Sequence, residues 1–115
     1  MRPFMFAGFA LALAATPALA ADGAELFALQ CEGCHAAAST PVAPTLKGVA
    51  GGKIASATGF TYSAGLKAKT GTWTDANLDA FLAAPAKFAP GTKMMTAGVE
   101  PEDRAALIGY LKTLK

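Results

Sequence analysis

The pattern of apolar and polar positions along this chain predicts helices joined by irregular loops. Several stretches carry apolar residues at helical spacing, and none alternates with the period of two that is typical of a strand. The predicted elements are a helix from about Ala24 to Gly33, a short turn from Ala64 to Lys69, a helix from Asp75 to Ala84, and a helix from Pro101 to about Thr113. The pattern therefore predicts an all-α fold with three main helices.

Two of these helices have clear end signals. Thr74 precedes "DANLDAFLAA" as an N-cap residue, and Pro85 follows the stretch and ends it. The last helix opens at "EPED", with Pro101 at its first position and acidic residues in its first turn. Its apolar residues form one face: Leu107, Ile108 and Leu111.

The first 20 residues have a different character from the rest. Arg2 is followed by an apolar run from Phe4 to Ala15, and "ALA" at 18–20 is a small-x-small cleavage signal. The apolar run is about 12 residues, too short to span a bilayer as a mature anchor. We therefore predict a secretory signal peptide at 1–20, one domain at 21–115, and no stable membrane insertion after cleavage.

The charge and apolar content of the chain limit the kinds of function that it can have. Arg2 lies in the leader, so the predicted mature chain has nine basic residues against eight acidic ones. There is no basic run of the kind that indicates nucleic-acid binding. Much of the apolar content is alanine, which buries little area, so the core is thin and another source of apolar bulk is expected.

Candidate chemistry is concentrated in "CEGCH", which holds Cys31, Cys34 and the only histidine, His35. A disulfide would close too small a loop to stabilise much, and structural zinc normally takes four protein ligands. A thiol oxidoreductase places this motif after a strand, whereas "GAELFALQ" precedes it here with helical spacing. C-x-x-C-H is also the attachment signature of c-type haem. Bacterial attachment of this haem follows export, so the leader supports the haem interpretation.

A haem iron held by His35 needs a second axial ligand from elsewhere. A second histidine is excluded because His35 is the only one. The predicted mature chain has two methionines, Met94 and Met95, in the stretch "APGTKMMTAG", which Pro90-Gly91 predicts to be a loop. Met/His ligation suits electron transfer. Spacing does not separate these two adjacent residues, and methionine is also common core filler.

These motifs together resemble a class I c-type cytochrome, close to mitochondrial cytochrome c and its small periplasmic bacterial relatives. The resemblance runs from about Gly23 to Lys112 and includes "GGKIASATGFTYSAGLKAKTGTWT", "FAPGTKMMTAG" and "DRAALIGYLK". It implies the cytochrome c fold around one haem c, attached through Cys31 and Cys34, and a periplasmic electron carrier rather than an enzyme. It also implies that Met94 is the axial ligand, with Met95 as its packed neighbour.

The same resemblance assigns roles to further residues. Pro44 is expected to accept a hydrogen bond from His35, because a metal-bound histidine usually donates its other ring N–H to a fixed acceptor. Tyr62, Trp73 and Thr92 are expected to bond the haem propionates. The expected apolar wall consists of Leu46, Leu78, Phe81 and Leu82. The first and last helices are expected to cross, with Gly23 and Phe27 against Leu107 and Tyr110.

Some positions depart from the family pattern, and these are expected to affect the reduction potential of the haem and the docking of partners. They are Gly52 where an arginine is common, Phe81 where a tyrosine is common, Leu66 in place of a polar amide, and Thr96 in place of an aromatic residue. The implied partners are redox proteins that dock transiently to a monomer. The candidate docking charges around the haem edge are Lys47, Lys87 and Lys93.

Overall fold

The computed structural model describes Pro3, Gly8 and residues 22–115. The predicted signal peptide at 1–20 therefore lies outside the described residues apart from Pro3 and Gly8. The helices are α1 (Gly23–Gln30), α2 (Ala64–Lys67), α3 (Asp75–Ala83), α4 (Pro85–Phe88) and α5 (Pro101–Leu111). Within 22–115 there is no β-strand, only an isolated antiparallel bridge between Lys53 and Thr72. None of the described helices is long and apolar enough to cross a membrane.

The end signals explain where α3, α4 and α5 begin. Thr74 caps α3 by accepting a hydrogen bond from the Asn77 backbone N–H at 3.1 Å. Pro101 occupies the start of α5, as predicted. The sequence analysis did not predict α4, which begins at Pro85 after the backbone breaks at Ala84. Proline ends one helix and is well suited to the first position of the next.

The prediction that α1 continues to Gly33 was wrong. The N–H groups of Cys31 and Glu32 both bond to the Phe27 carbonyl, so the hydrogen-bond register changes and the helix ends at Gln30. The prediction for the last helix was also two residues too long, since α5 ends at Leu111. Such shifts are common where the last turn of a helix loosens.

The core lies where α1, α3 and α5 meet the loops between them. Leu107 on α5 is 1% exposed, and its predicted partners Ile108 and Leu111 are also buried. The buried cluster draws on every helix or its flanking loop and comprises Leu26, Ile54, Leu66, Trp73, Leu78, Leu82, Ala89, Val99, Leu107, Ile108 and Leu111. Six of them also line the cavity described below: Leu66, Trp73, Leu78, Leu82, Leu107 and Leu111.

The predicted crossing of the first and last helices is present. The rings of Phe27 and Tyr110 pack with centroids 5.0 Å apart. Gly23 lies against the last helix, where a Cβ atom would collide with the Ala106 carbonyl oxygen and come within 2.9 Å of Tyr110 Cβ. The crossing therefore depends on the missing side chain at position 23.

We expect Gly23→Ala to lower the free energy of unfolding by about 1–3 kcal/mol, the usual cost of forcing extra atoms into a packed contact. Gly109 on α5 is the matched control, because a Cβ there meets nothing within 4 Å. Gly109→Ala should raise the free energy of unfolding by up to about 1 kcal/mol, since alanine favours helix more than glycine does. Urea unfolding of both variants measures the difference; equal effects would show that the crossing tolerates a side chain at Gly23.

Candidate functional site

One cavity of about 330 Å³ brings the predicted site residues together. Its volume is within the range of pockets that hold small molecules and cofactors. All eight predicted residues line it: Cys31, Cys34, His35, Pro44, Tyr62, Trp73, Thr92 and Met94. The predicted apolar wall lines it as well: Leu46, Leu78, Phe81 and Leu82. Residues from four separate parts of the chain thus converge on one largely apolar space.

The "CEGCH" segment forms a separate turn after α1, and this turn borders the cavity. The N–H groups of Cys34 and His35 both bond to the Cys31 carbonyl, at 3.1 and 2.8 Å. Cys31 is half-buried and Cys34 is exposed, and burial raises the pKa of the Cys31 thiol. The turn therefore places two thiols and an imidazole on the wall of the same cavity.

The orientation of His35 is set by a single contact. Its Nδ1 lies 2.9 Å from the Pro44 carbonyl oxygen. A carbonyl only accepts, so Nδ1 carries the proton and donates it, which leaves Nε2 with the free lone pair. This is the arrangement that holds a metal-binding histidine in one tautomer. The contact joins residues nine positions apart, on either side of the loop after the cysteines.

The two methionines have very different surroundings. Met94 packs against the buried core cluster, whereas Met95 is 96% exposed. The expectation that Met95 is a packed neighbour of Met94 was therefore wrong. The Met94 backbone N–H bonds to the Thr92 hydroxyl oxygen at 3.3 Å, which stiffens the loop just before the sulfur.

Hydroxyl groups on the cavity have protons to donate. The Tyr62 oxygen accepts from the Ala57 backbone N–H at 3.1 Å, and the Thr92 oxygen accepts from Met94. Each hydroxyl proton is therefore left for another acceptor, such as a carboxylate. Burial raises the pKa of Tyr62, while the Ala57 N–H acts in the opposite direction, so this group remains a donor at neutral pH. Trp73 is buried and lines the same cavity, and its indole N–H can only donate.

The departures from the family pattern also border the cavity. Gly52, Leu66, Phe81 and Thr96 all line it. At Gly52 a Cβ atom would come within 2.7 Å of the Gly48 carbonyl oxygen. This backbone therefore has no room for an arginine at that position, and Lys53 is the neighbouring cation that lines the cavity.

Two of the three candidate docking lysines line the cavity. Lys47 and Lys93 are exposed and line the cavity, whereas Lys87 lies on α4 outside its lining. The Lys93 ammonium donates to the Thr61 carbonyl oxygen at 2.7 Å. Sequence reasoning missed this contact because the two residues are 32 positions apart. It also missed Phe60, Leu107 and Leu111 as cavity residues, for which the sequence carries no local signal.

Comparison with known proteins agrees with this geometry. The family profile described as Cytochrome c matches residues 20–115. The chain belongs to the cytochrome c family. Cytochrome c of Ulva intestinalis is 42% identical over 102 residues, which cover 85% of this chain and 92% of the relative. Cytochrome c2 of Rhodomicrobium vannielii is 39% identical over 113 residues, which cover 92% of this chain and 90% of the relative.

A solved structure shares the fold. Cytochrome cH from Methylobacterium extorquens superposes with a TM-score of 0.74 at 43% identity, covering 84% of this chain and 99% of that one. The all-α cytochrome c fold predicted from the sequence is therefore confirmed. Proteins of the cytochrome c family are electron carriers rather than enzymes, and they bind one covalent haem c through a cysteine pair, here Cys31 and Cys34.

The cavity fits this group. Its lining is mainly apolar and includes both cysteines, and its hydroxyl and indole donors suit the two propionate groups of a porphyrin. Residues of α5 such as Leu107 and Leu111 complete the wall. A haem in this cavity would contact these apolar side chains, as the alanine-rich sequence led us to expect.

Proposed function

We propose that this cytochrome c is exported, loses residues 1–20, and carries single electrons in the periplasm as a monomer, with His35 and Met94 as the axial ligands of its haem iron. The observation that supports this best is the convergence of all eight predicted site residues on one cavity, with His35 held by Pro44. The domain that remains is 21–115, nearly the range matched by the family profile.

The roles of the residues at the iron follow from their geometry. The bond from His35 Nδ1 to Pro44 leaves Nε2 free to bind iron and fixes the plane of the ring. Met94 offers a thioether from a loop that borders the same cavity. The bound haem supplies an iron centre that alternates between the ferric and ferrous states. With His35 and Met94 both bound, the iron would have no position open to a substrate, which suits a carrier.

The surrounding residues tune and shield the centre. Tyr62, Trp73 and Thr92 would donate hydrogen bonds to the propionates of a bound haem and so offset their negative charge. The leucine wall excludes water from the porphyrin faces. Phe81 has no hydroxyl to donate to the Met94 sulfur, so the thioether keeps more electron density and favours ferric iron. Hydrogen bonding of this kind is an established control on reduction potential.

Transient docking takes place at the mouth of the cavity, where Lys47 and Lys93 are exposed. Nine basic and eight acidic residues leave the predicted mature chain almost neutral before haem is added. Long-range attraction to an acidic partner is therefore weak. Rapid-mixing electron-transfer rates with an acidic partner should fall only modestly as salt rises. A steep decline would show that the lysines form a concentrated patch.

Export and haem attachment can be tested together in a bacterium that matures c-type cytochromes. The full chain should appear in the periplasmic fraction with covalent haem, sharp reduced bands of low-spin iron, and the mass of residues 21–115 plus one haem. The control is a chain that starts at Ala21 without the leader, which should stay in the cytoplasm and carry no covalent haem. Recovery of the uncleaved chain in the membrane fraction would contradict the proposed processing.

A further inference from the structure

The peptide group between Pro44 and Thr45 has a hydrogen bond at each end. Its carbonyl oxygen accepts from His35 Nδ1 at 2.9 Å, and its N–H donates to the Ser39 hydroxyl oxygen at 2.9 Å. A trans peptide is planar, so its C=O and N–H point in opposite directions from one rigid unit. The bond to Ser39 therefore restricts the orientation of the carbonyl group that accepts from His35.

The two hydrogen bonds of this peptide group also strengthen each other. When the N–H of an amide donates, electron density moves toward the carbonyl oxygen of the same amide, which then accepts more strongly. Hydrogen bonds in a chain polarise one another in this way, by about 10–30% per bond. The bond from the Thr45 N–H to Ser39 therefore strengthens the bond from His35 to Pro44, with only one peptide group between them.

Other bonds in the same loop hold this arrangement in place. The Thr45 hydroxyl donates to the Ala37 carbonyl oxygen at 2.8 Å, and the Thr40 N–H donates to the Ala43 carbonyl oxygen at 3.0 Å. Ala43 is buried, and Ser39 and Thr45 are half-buried. The proline between Ala43 and Thr45 has no N–H of its own. Its position is therefore fixed by the bonds of the residues on either side of it.

We propose that Ser39 is a positioning residue that orients and polarises the Pro44 carbonyl group and so makes His35 a more electron-rich ligand. This inference rests on the proposed ligation by His35. A stronger bond from Nδ1 leaves Nε2 richer in electrons, which stabilises ferric iron relative to ferrous iron. Ser39 therefore lowers the reduction potential, although its side chain is not part of the cavity lining.

The test is Ser39→Ala in the haem-loaded protein, with two measurements. Voltammetry should show the equilibrium constant for reduction rising about threefold, less than the roughly fivefold worth of a whole hydrogen bond because the effect passes through a peptide group. At 59 mV per tenfold for one electron, this is a rise of about 28 mV. In NMR spectra of the ferrous protein, the His35 Nδ1 proton should move to lower chemical shift and exchange faster with solvent.

Two further variants separate this role from general loosening of the protein. Thr74→Ala removes another hydroxyl oxygen that accepts a backbone N–H, that of Asn77 at 3.1 Å, from a site outside the cavity lining. It should leave the potential and the Nδ1 proton at their wild-type values. Ser39→Thr keeps the hydroxyl oxygen and should restore most of both values. Equal shifts in Ser39→Ala and Thr74→Ala, or a Ser39→Thr value equal to that of Ser39→Ala, would overturn the proposal.

The wild-type NMR spectrum distinguishes failure of this inference from failure of the proposed ligation. The ring protons of a histidine bound to haem iron are shifted strongly upfield by the porphyrin in the ferrous state. If His35 shows no such shift, its ligation is wrong and the role of Ser39 falls with it. If the shift is present and Ser39→Ala changes neither the potential nor the Nδ1 proton, the ligation stands and only the role of Ser39 is wrong.

Discussion

Replacing both Cys31 and Cys34 with alanine is expected to leave a chain with little stable helix. Without thioether bonds the haem is not retained, and the cavity of about 330 Å³ loses its contents. Its wall includes main core residues from three helices, Leu66, Leu78, Leu82, Leu107 and Leu111, so these side chains would lose their packing partner.

The magnitude follows from the cavity volume. At about 24 cal/mol per Å³, an enclosed empty cavity of 330 Å³ costs roughly 8 kcal/mol, which is an upper bound here because this cavity opens to solvent. A domain of this kind is stable by about 5–15 kcal/mol in total. The loss is thus comparable to the whole stability, which is why we expect unfolding rather than a loosened native state.

Far-UV circular dichroism of the purified double variant measures this directly. The matched control is Cys34→Ala alone, which keeps one thioether at the half-buried Cys31 and should retain haem and most of the helix signal. Near-native helix in the haem-free double variant would mean that the polypeptide packs its own core, and the dependence on haem would have to be abandoned.

Met94→Ala is expected to abolish the weak red band of the ferric protein completely. Alanine has no sulfur to bind iron, and the other methionine, Met95, is 96% exposed on the same loop. The band depends on the bond between the thioether sulfur and ferric iron, so it reports this ligand and not the fold as a whole. Visible absorption of the purified ferric protein is the measurement.

Met95→Leu is the control for this experiment. The side chain is exposed, so its replacement should change the free energy of unfolding by no more than about 0.5 kcal/mol and leave the band intact. If Met95→Leu lost the band while Met94→Ala kept it, the ligand assignment would be reversed. Loss in both variants would indicate that the band depends on the loop as a whole.

The structure also affects the choice of substitution for testing what sets the reduction potential. Restoring an arginine at Gly52 would force a Cβ atom to within 2.7 Å of the Gly48 carbonyl oxygen, so a shift in potential there would mix charge with backbone movement. Phe81 already carries a Cβ atom and lines the cavity, so a tyrosine at this position adds only a hydroxyl group to the ring. Substitution at Phe81 is therefore the cleaner probe of the thioether's electron density.

The sequence by itself was enough to predict the bound haem and the positions of the main helices. These features depend on signals within a few residues of one another: the spacing of Cys31, Cys34 and His35, the cap at Thr74, and Pro101 at the first turn of α5. Counting was equally decisive, because a single histidine leaves methionine as the candidate for the second axial position. The chemistry of the centre could therefore be predicted before any contact was known.

Only the tertiary structure decided features that depend on residues far apart in the chain. The family resemblance already implied Met94 as the ligand, but only the structure shows that Met94 packs on the core while Met95 faces solvent. The residue at which α1 ends depends on the change in backbone hydrogen bonding between its last turn and the turn formed by residues 31–35. Lys93 was one of three similar lysines until folding brought Thr61, 32 positions away, within 2.7 Å of its ammonium. Burial and contacts between loops are set by the whole folded chain, so no local pattern could predict them.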